Sequence, residues 1–243
     1  MVFLPFVFAI ALALVHIFAG KLLFLETIPR SRWLSLAGGA SVAYVFIHIF
    51  PELNQGQVTL ERVDNAIVNY LEHHVYLMAL LGFGIFYGLE RVAAASRQEK
   101  QKQGSADSTT EEVFWLHISS FAVYNALIGY LLLHREEPGV WSLLVFFVAM
   151  ALHFLVNDFG LRDHHKHSYR RIGRWVLAAA VLVGWAIGRA TEISEPAIAV
   201  LFAFLAGGII LNVLKEELPE ERESRFWAFA AGATTYAALL LVI

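Results

Sequence analysis

The sequence predicts an all-α integral membrane protein, an eight-span bundle of transmembrane helices that forms a single domain over residues 1–243. Three observations predict it. Hydrophobic residues make up 58 % of the chain and charged residues only 16 %, against about 25 % charged in soluble domains. The apolar residues also fall into long runs, and about 20 such residues, each rising about 1.5 Å, cross a hydrocarbon core about 30 Å thick. The basic residues then alternate sides when those runs are taken as spans. Helices are expected throughout, because an unpaired backbone N–H or C=O is costly in lipid.

The first span is Val2–Gly20. It has no basic segment before the apolar run and no small-residue cleavage site after it, so it reads as a retained span rather than a signal peptide. The next are Trp33–Phe50 and Val75–Ala95, the latter carrying Glu90 and Arg91 near its end. Val113–Leu133, Val140–Leu161, Trp175–Ala190, Ala197–Leu214 and Trp227–Ile243 complete the set, with the sixth cut short at Arg189. If both termini are outside, only Arg62, Arg135 and Arg189 of the 18 Lys and Arg residues fall in outer segments. That asymmetry is the positive-inside pattern, and it suggests a bacterial cytoplasmic (inner) membrane.

Two connections are long. Ser96–Glu112 is polar and reads as a flexible cytoplasmic loop whose end, Thr109 to Glu112, has capping-box spacing for the fourth span. Pro51–His74 places Val58, Val63, Ile67 and Leu71 near helical spacing, which predicts a short amphipathic helix on the outer surface. A hint of an inverted repeat joins the second span, with Gly38-Gly39 and Phe50-Pro51-Glu52, to the seventh, with Gly207-Gly208 and Leu218-Pro219-Glu220. Spans two and seven run in opposite directions, as in many secondary transporters.

A net charge of −3 gives no reason to expect a nucleic-acid partner, and the absence of cysteine excludes disulfides, thiolate metal sites and a cysteine nucleophile. Ionisable side chains within spans are expensive and point to function. They are His16, His48, His117, His153 and Asp158, with Asn125, Asn157 and Asn212 as neutral companions. At about 100° per residue, His117, Ser120, Tyr124 and Ile128 form one stripe with Asn125 beside it. His153 and Asn157 share a face of the fifth span, and Asp158 points roughly 140° from His153. Imidazoles suit zinc and similar ions; the alternative is that these groups only hydrogen-bond helix to helix. His48 and Glu52, one turn apart at an outer end, could gather cations or face headgroups. The clusters His73-His74 and Asp163-His164-His165-Lys166-His167 read chiefly as solvated loop histidines, and Lys215–Glu217 with Glu220–Glu223 as a solvated charge run.

These residues carry a resemblance. Nearly the whole chain resembles the ZIP (Zrt/Irt-like) divalent metal transporters, which have eight spans, outside termini and a variable loop between spans three and four. Ile47-His48-Ile49-Phe50-Pro51-Glu52 and Leu218-Pro219-Glu220 look like that family's hydrophobic-Pro-Glu span ends. Tyr124-Asn125-Ala126-Leu127-Ile128-Gly129 lies where the family has His-Asn-x-x-Asp/Glu-Gly, with Tyr124 for the histidine and Ile128 for the acid. His153-Phe154-Leu155-Val156-Asn157-Asp158 matches the fifth-span motif, with His153 kept, Phe154 for the first acid and Asp158 one residue off register.

The resemblance implies a transporter of zinc or a similar divalent cation, with no catalytic residues and no firm cofactor beyond a bound divalent metal. It implies a degenerate mid-membrane site at His153, Asn125, Asn157, Tyr124 and Asp158, with His48 and Glu52 at the outer entrance. The expected partners are the lipid bilayer, the metal cation and, left open, a second copy in a homodimer. Two other readings stand beside it. One is a ZIP-fold protein with a binding or regulatory role and no transport. The other is an intramembrane zinc hydrolase or haem protein using His16, His48, His117 and His153; it is disfavoured because no span carries His-x-x-x-His and a zinc hydrolase needs about three protein ligands.

Overall fold

The computed structural model describes residues 3–21, 32–62, 74–102, 109–135, 139–217 and 225–242. It is all-helical, with no strand among those residues. The helices are α1 (Phe3–Phe18, closed by a 3₁₀ turn Ala19–Lys21), α2 (Arg32–Tyr44), α3 (Phe50–Glu61), α4 (His74–Lys102), α5 (Glu111–Leu131), α6 (Val140–Ser168), α7 (Arg174–Ala190), α8 (Glu195–Glu217) and α9 (Phe226–Val242). Six helical runs are long and apolar enough to cross a membrane, and Phe226–Leu241 is a shorter apolar helix. Leu80, Val123 and Val183 are exposed on helix flanks, and Trp33, Trp141, Trp175 and Trp227 are exposed at or near helix starts. An apolar outer surface with aromatic residues at helix ends is the pattern that lipid and its interface favour.

Two π turns mark departures from a regular helix. Val45–Ile49 joins α2 to α3, and Tyr169–Gly173 joins α6 to α7. The first precedes Pro51, whose ring cannot donate to a carbonyl four residues back and would crowd it. There the Phe50 N–H reaches the Val45 oxygen five residues back, and the helix runs on through the proline. The second span therefore does not end at Phe50, and residues 51–61 extend it rather than forming a separate surface helix. Leu53, Gly56, Gln57 and Leu60 are the buried positions of that extension, while Val58 is only half-buried. Val63, Ile67 and Leu71 lie outside the described residues, as does Leu218-Pro219-Glu220.

Val140–Ala190 forms one helical run of 51 residues, broken at Lys166, where φ is 42° and ψ −107°. A left-handed φ at a long side chain interrupts the helical hydrogen-bond ladder, so this run holds two helices joined by a kink. The stretch expected as a loop from Ser96 is helical as far as Lys102, where the described part of α4 ends; residues 103–108 lie outside the described residues. The Ala93–Ala95 and Arg, Gln, Glu and Lys residues of α4 favour helix, and the Ser96 Oγ accepts from the Thr110 N–H at 2.9 Å. The cap of α5 is Thr110, whose hydroxyl accepts from the Val113 N–H, one residue later than the capping-box spacing suggested.

The chain divides into two compact units. One comprises Met1–Leu22, Ile85–His134 and Met150–Thr191. In it α7 packs along α5 and α1. Gly129 and Gly184 form a reciprocal crossing, where a Cβ on either would collide with the Val181 or Ala126 carbonyl oxygen of the facing helix. The other comprises Leu23–Gly84, Arg135–Ala149 and Glu192–Ile243. There α2 packs on α9 through Gly39 and Gly232, and α4 meets α8 through Gly82 and Gly207, again backbone against backbone. Close small-residue crossings of this kind are how helices gain packing in lipid, where no hydrophobic force drives them together.

Candidate functional site

The first unit gathers polar side chains from three helices and the Tyr169–Gly173 turn into its buried interior. His16 of α1, Asn125 of α5 and Asp158 of α6 are 1 %, 0 % and 2 % exposed. His16 Nδ1 lies 2.8 Å from Asp158 Oδ1, and His16 Nε2 lies 2.9 Å from Asn125 Nδ2. An amide nitrogen only donates, so Nε2 accepts, and the imidazole proton sits on Nδ1 and is donated to the carboxylate. The Tyr169 hydroxyl also donates to Asp158 Oδ1. The His16 ring stacks at a tilt on Phe154, centroids 4.2 Å apart.

Beside this group the Tyr124 hydroxyl and His153 Nε2 are 3.0 Å apart, and Asn157 is buried. Three buried polar atoms here have no hydrogen-bond partner among the described residues: Asn125 Oδ1, Asn157 Nδ2 and Asp158 Oδ2. Such atoms are costly unless something satisfies them. Two are oxygens, one from a carboxylate, so the arrangement suits a cation bound next to two imidazoles. Among the described residues, no group of three or more His, Asp or Glu side chains is arranged to hold a metal ion; a site here would draw on amide and phenol oxygens as well.

The structure thus brings Tyr124, Asn125, His153, Asn157 and Asp158 into one unit, and adds His16, through which Asp158 joins the cluster despite its angle to His153. His48 and Glu52 belong to the other unit and pair with each other at 3.1 Å. There burial lowers the Arg135 guanidinium from its usual range, while the charges of Glu52 and Tyr44 oppose that shift.

A second cluster of the first unit surrounds the other histidine of the α5 stripe. His117 is 1 % exposed, with Nε2 3.3 Å from Glu90 Oε1 and Nδ1 2.9 Å from His165 Nε2. His164 Nε2 lies 3.4 Å from Glu90 Oε2, and His165 Nδ1 lies 2.6 Å from the Thr109 hydroxyl. These histidines lie in a helix, not a loop; His167 is exposed, as a solvated side chain would be, whereas His165 is 1 % exposed. The Lys166 break explains the difference: the helix turns there, after His165 is already packed against α5.

Sequence reasoning counted His16 among the ionisable side chains within spans but did not place it in the mid-membrane site. The available signal was an imidazole in an otherwise apolar run. Tyr169 carried no signal of its own, Glu90 stood out only as a charge near a span end, and Thr109 only as a helix-cap candidate. Comparison with known proteins gives no match, whether to a family model, a curated sequence or a solved structure.

Proposed function

We propose that this chain is a divergent ZIP-type transporter of a divalent cation such as zinc in a bacterial cytoplasmic membrane. It would cross the membrane eight times, the break at Lys166 dividing Val140–Ala190 into two spans and α9 serving as the last, with both termini outside. The motif resemblance supports the family, and one observation carries the site. Asn125 Oδ1 and Asp158 Oδ2 are buried and unpartnered beside His16 and His153. Asp158 supplies the negative charge that offsets desolvation of a dication, a charge that the family-matched positions Ile128 and Phe154 lack. His153 is the first ligand, Asn125, Asn157 and Tyr124 add neutral contacts, and His16 is held by Asp158 and Asn125 in one tautomer.

The test is zinc entry into proteoliposomes loaded with a fluorescent chelator. Protein-dependent accumulation is expected. Zinc binding without accumulation would replace transport by the binding or regulatory reading.

A further inference from the structure

Basic side chains of the first unit gather where α1 ends and α7 begins. Arg174, the first residue of α7, donates from Nη1 to the Ile17 carbonyl of α1 at 3.4 Å. Arg162 of α6 approaches the same end, since a Cβ on Gly20 would stand 3.2 Å from its Nη1. Lys21 follows Gly20 in the closing 3₁₀ turn, and Arg170 and Arg171 are exposed in the turn that leads into α7. All five belong to one unit.

The end of α1 accounts for only part of this charge. A helix C-terminus carries about half an elementary negative charge, against five basic groups here. Among the described residues no ion pair joins Lys21, Arg170, Arg171 or Arg174 to a carboxylate. Asp163, next to Arg162 in the chain, is engaged by Arg97 at 2.6 Å and Lys166 at 3.0 Å, and Asp158 by His16 and Tyr169. A guanidinium carries five N–H donors. The long bond to Ile17 is the one hydrogen bond of Arg174 among the described residues, and its Nε is enclosed without a partner. Such donors are costly unless a further group satisfies them.

Aromatic rings support three of the cations. Lys21 Nζ lies 4.9 Å from the Phe18 ring centre, and the guanidinium carbons of Arg162 and Arg174 lie 5.8 and 5.3 Å from those of Phe159 and Trp175. Stacking fixes a guanidinium while its N–H edge can still engage a phosphate through two parallel bonds. Phe18, Ile172 and Trp175 are exposed beside the charges. A free anion would use the cations and gain nothing from this apolar surface. A phospholipid uses both, and basic pockets between membrane helices take anionic headgroups in this way.

We infer that this end of α1 and α7 binds an anionic phospholipid, its phosphate on Arg174 with Lys21, Arg170 and Arg171 beside it, and its acyl chains against Phe18, Ile172 and Trp175. The phosphate would link residues of α1 and α7 and so add to the packing of those two helices. The inference rests on the place of these helices in a membrane and stands apart from cation transport.

Full-length protein in detergent is titrated with phosphatidylglycerol or phosphatidylcholine, and bound lipid is counted by native mass spectrometry. Wild type is expected to take one phosphatidylglycerol at least about tenfold more tightly than phosphatidylcholine. A basic residue near a membrane surface contributes about fivefold to the attraction of anionic lipid, so Arg174→Gln should weaken phosphatidylglycerol binding about fivefold and Arg170→Gln/Arg171→Gln about 25-fold. The charge-matched variant Arg91→Gln/Lys102→Gln, at exposed positions of α4, should leave it unchanged. In unmodified protein, a photoreactive phosphatidylglycerol should label the segments around Phe18 and Trp175 in preference to other helix ends, a measurement that needs no variant to fold. Equal affinity for the two lipids, equal losses in the cluster and control variants, or even labelling of all helix ends would overturn the site. Saturation by inorganic phosphate with no preference for phosphatidylglycerol would assign the cluster to a free anion and overturn the lipid.

Discussion

Removing His16 should destabilise the protein far more than an ordinary interhelical contact would. Side chains of His16 and Asp158 are 0 % and 2 % exposed and 2.8 Å apart. An average interhelical hydrogen bond within a membrane bundle contributes about 0.6 kcal/mol. Breaking a buried pair by deleting one partner costs about 3–5 kcal/mol, because the other is left buried and uncompensated. His16→Ala leaves Asp158 Oδ1 to Tyr169 alone and strips Asn125 Nδ2 of its acceptor. At about 2–4 °C per kcal/mol for a chain of this size, the melting temperature in detergent should fall by about 6–20 °C. Asp158→Asn keeps an acceptor for both donors and should cost less, about 1–3 kcal/mol. The double variant should be less destabilised than the sum by at least about 1 kcal/mol. Additivity within about 0.5 kcal/mol, or a His16→Ala shift of a degree or two, would show that the two side chains do not act as a pair.

Gly184→Ala forces α5 and α7 apart at the Ala126 carbonyl and should cost at least about 1–3 kcal/mol by thermal melting. Gly84→Ala meets nothing within 4 Å and should be neutral or stabilising by up to about 1 kcal/mol; equal effects at the two sites would contradict the close-crossing account. Thr110→Ala should cost about 0.5–2 kcal/mol through loss of the α5 cap, whereas Thr109→Ala should leave the cap itself intact. A reporter inserted between residues 103 and 108 should read cytoplasmic and one fused after residue 243 outside; both on the same side would sink the eight-span arrangement.

The helical class was legible because apolar runs of spanning length leave few alternatives, and the buried stripe of α5 followed from its 3.6-residue period. Span ends were less legible. Pro51 normally stops a helix, but a π turn absorbed it. The polar stretch after Ala95 is made of good helix formers, so α4 outran its apolar part. Candidate site residues on one helix could be grouped by period, as His153 with Asn157 was. Contacts between distant helices could not, and periodicity alone placed Asp158 away from His153. His16, 142 residues from Asp158 in the chain, ties Asp158 to Asn125 of α5, and no spacing rule relates them. The same holds for Glu90 and His164, which lie on separate helices and pair at 3.4 Å.

The most direct test of the proposed function compares zinc uptake by wild-type and Asp158→Asn proteoliposomes at matched protein density. If Asp158 supplies the charge that holds the dication, the variant should carry zinc at least about tenfold more slowly, equivalent to about 1.4 kcal/mol or more of lost cation stabilisation. Uptake at the wild-type rate would contradict the assignment of the cation site to the His16–Asp158 cluster.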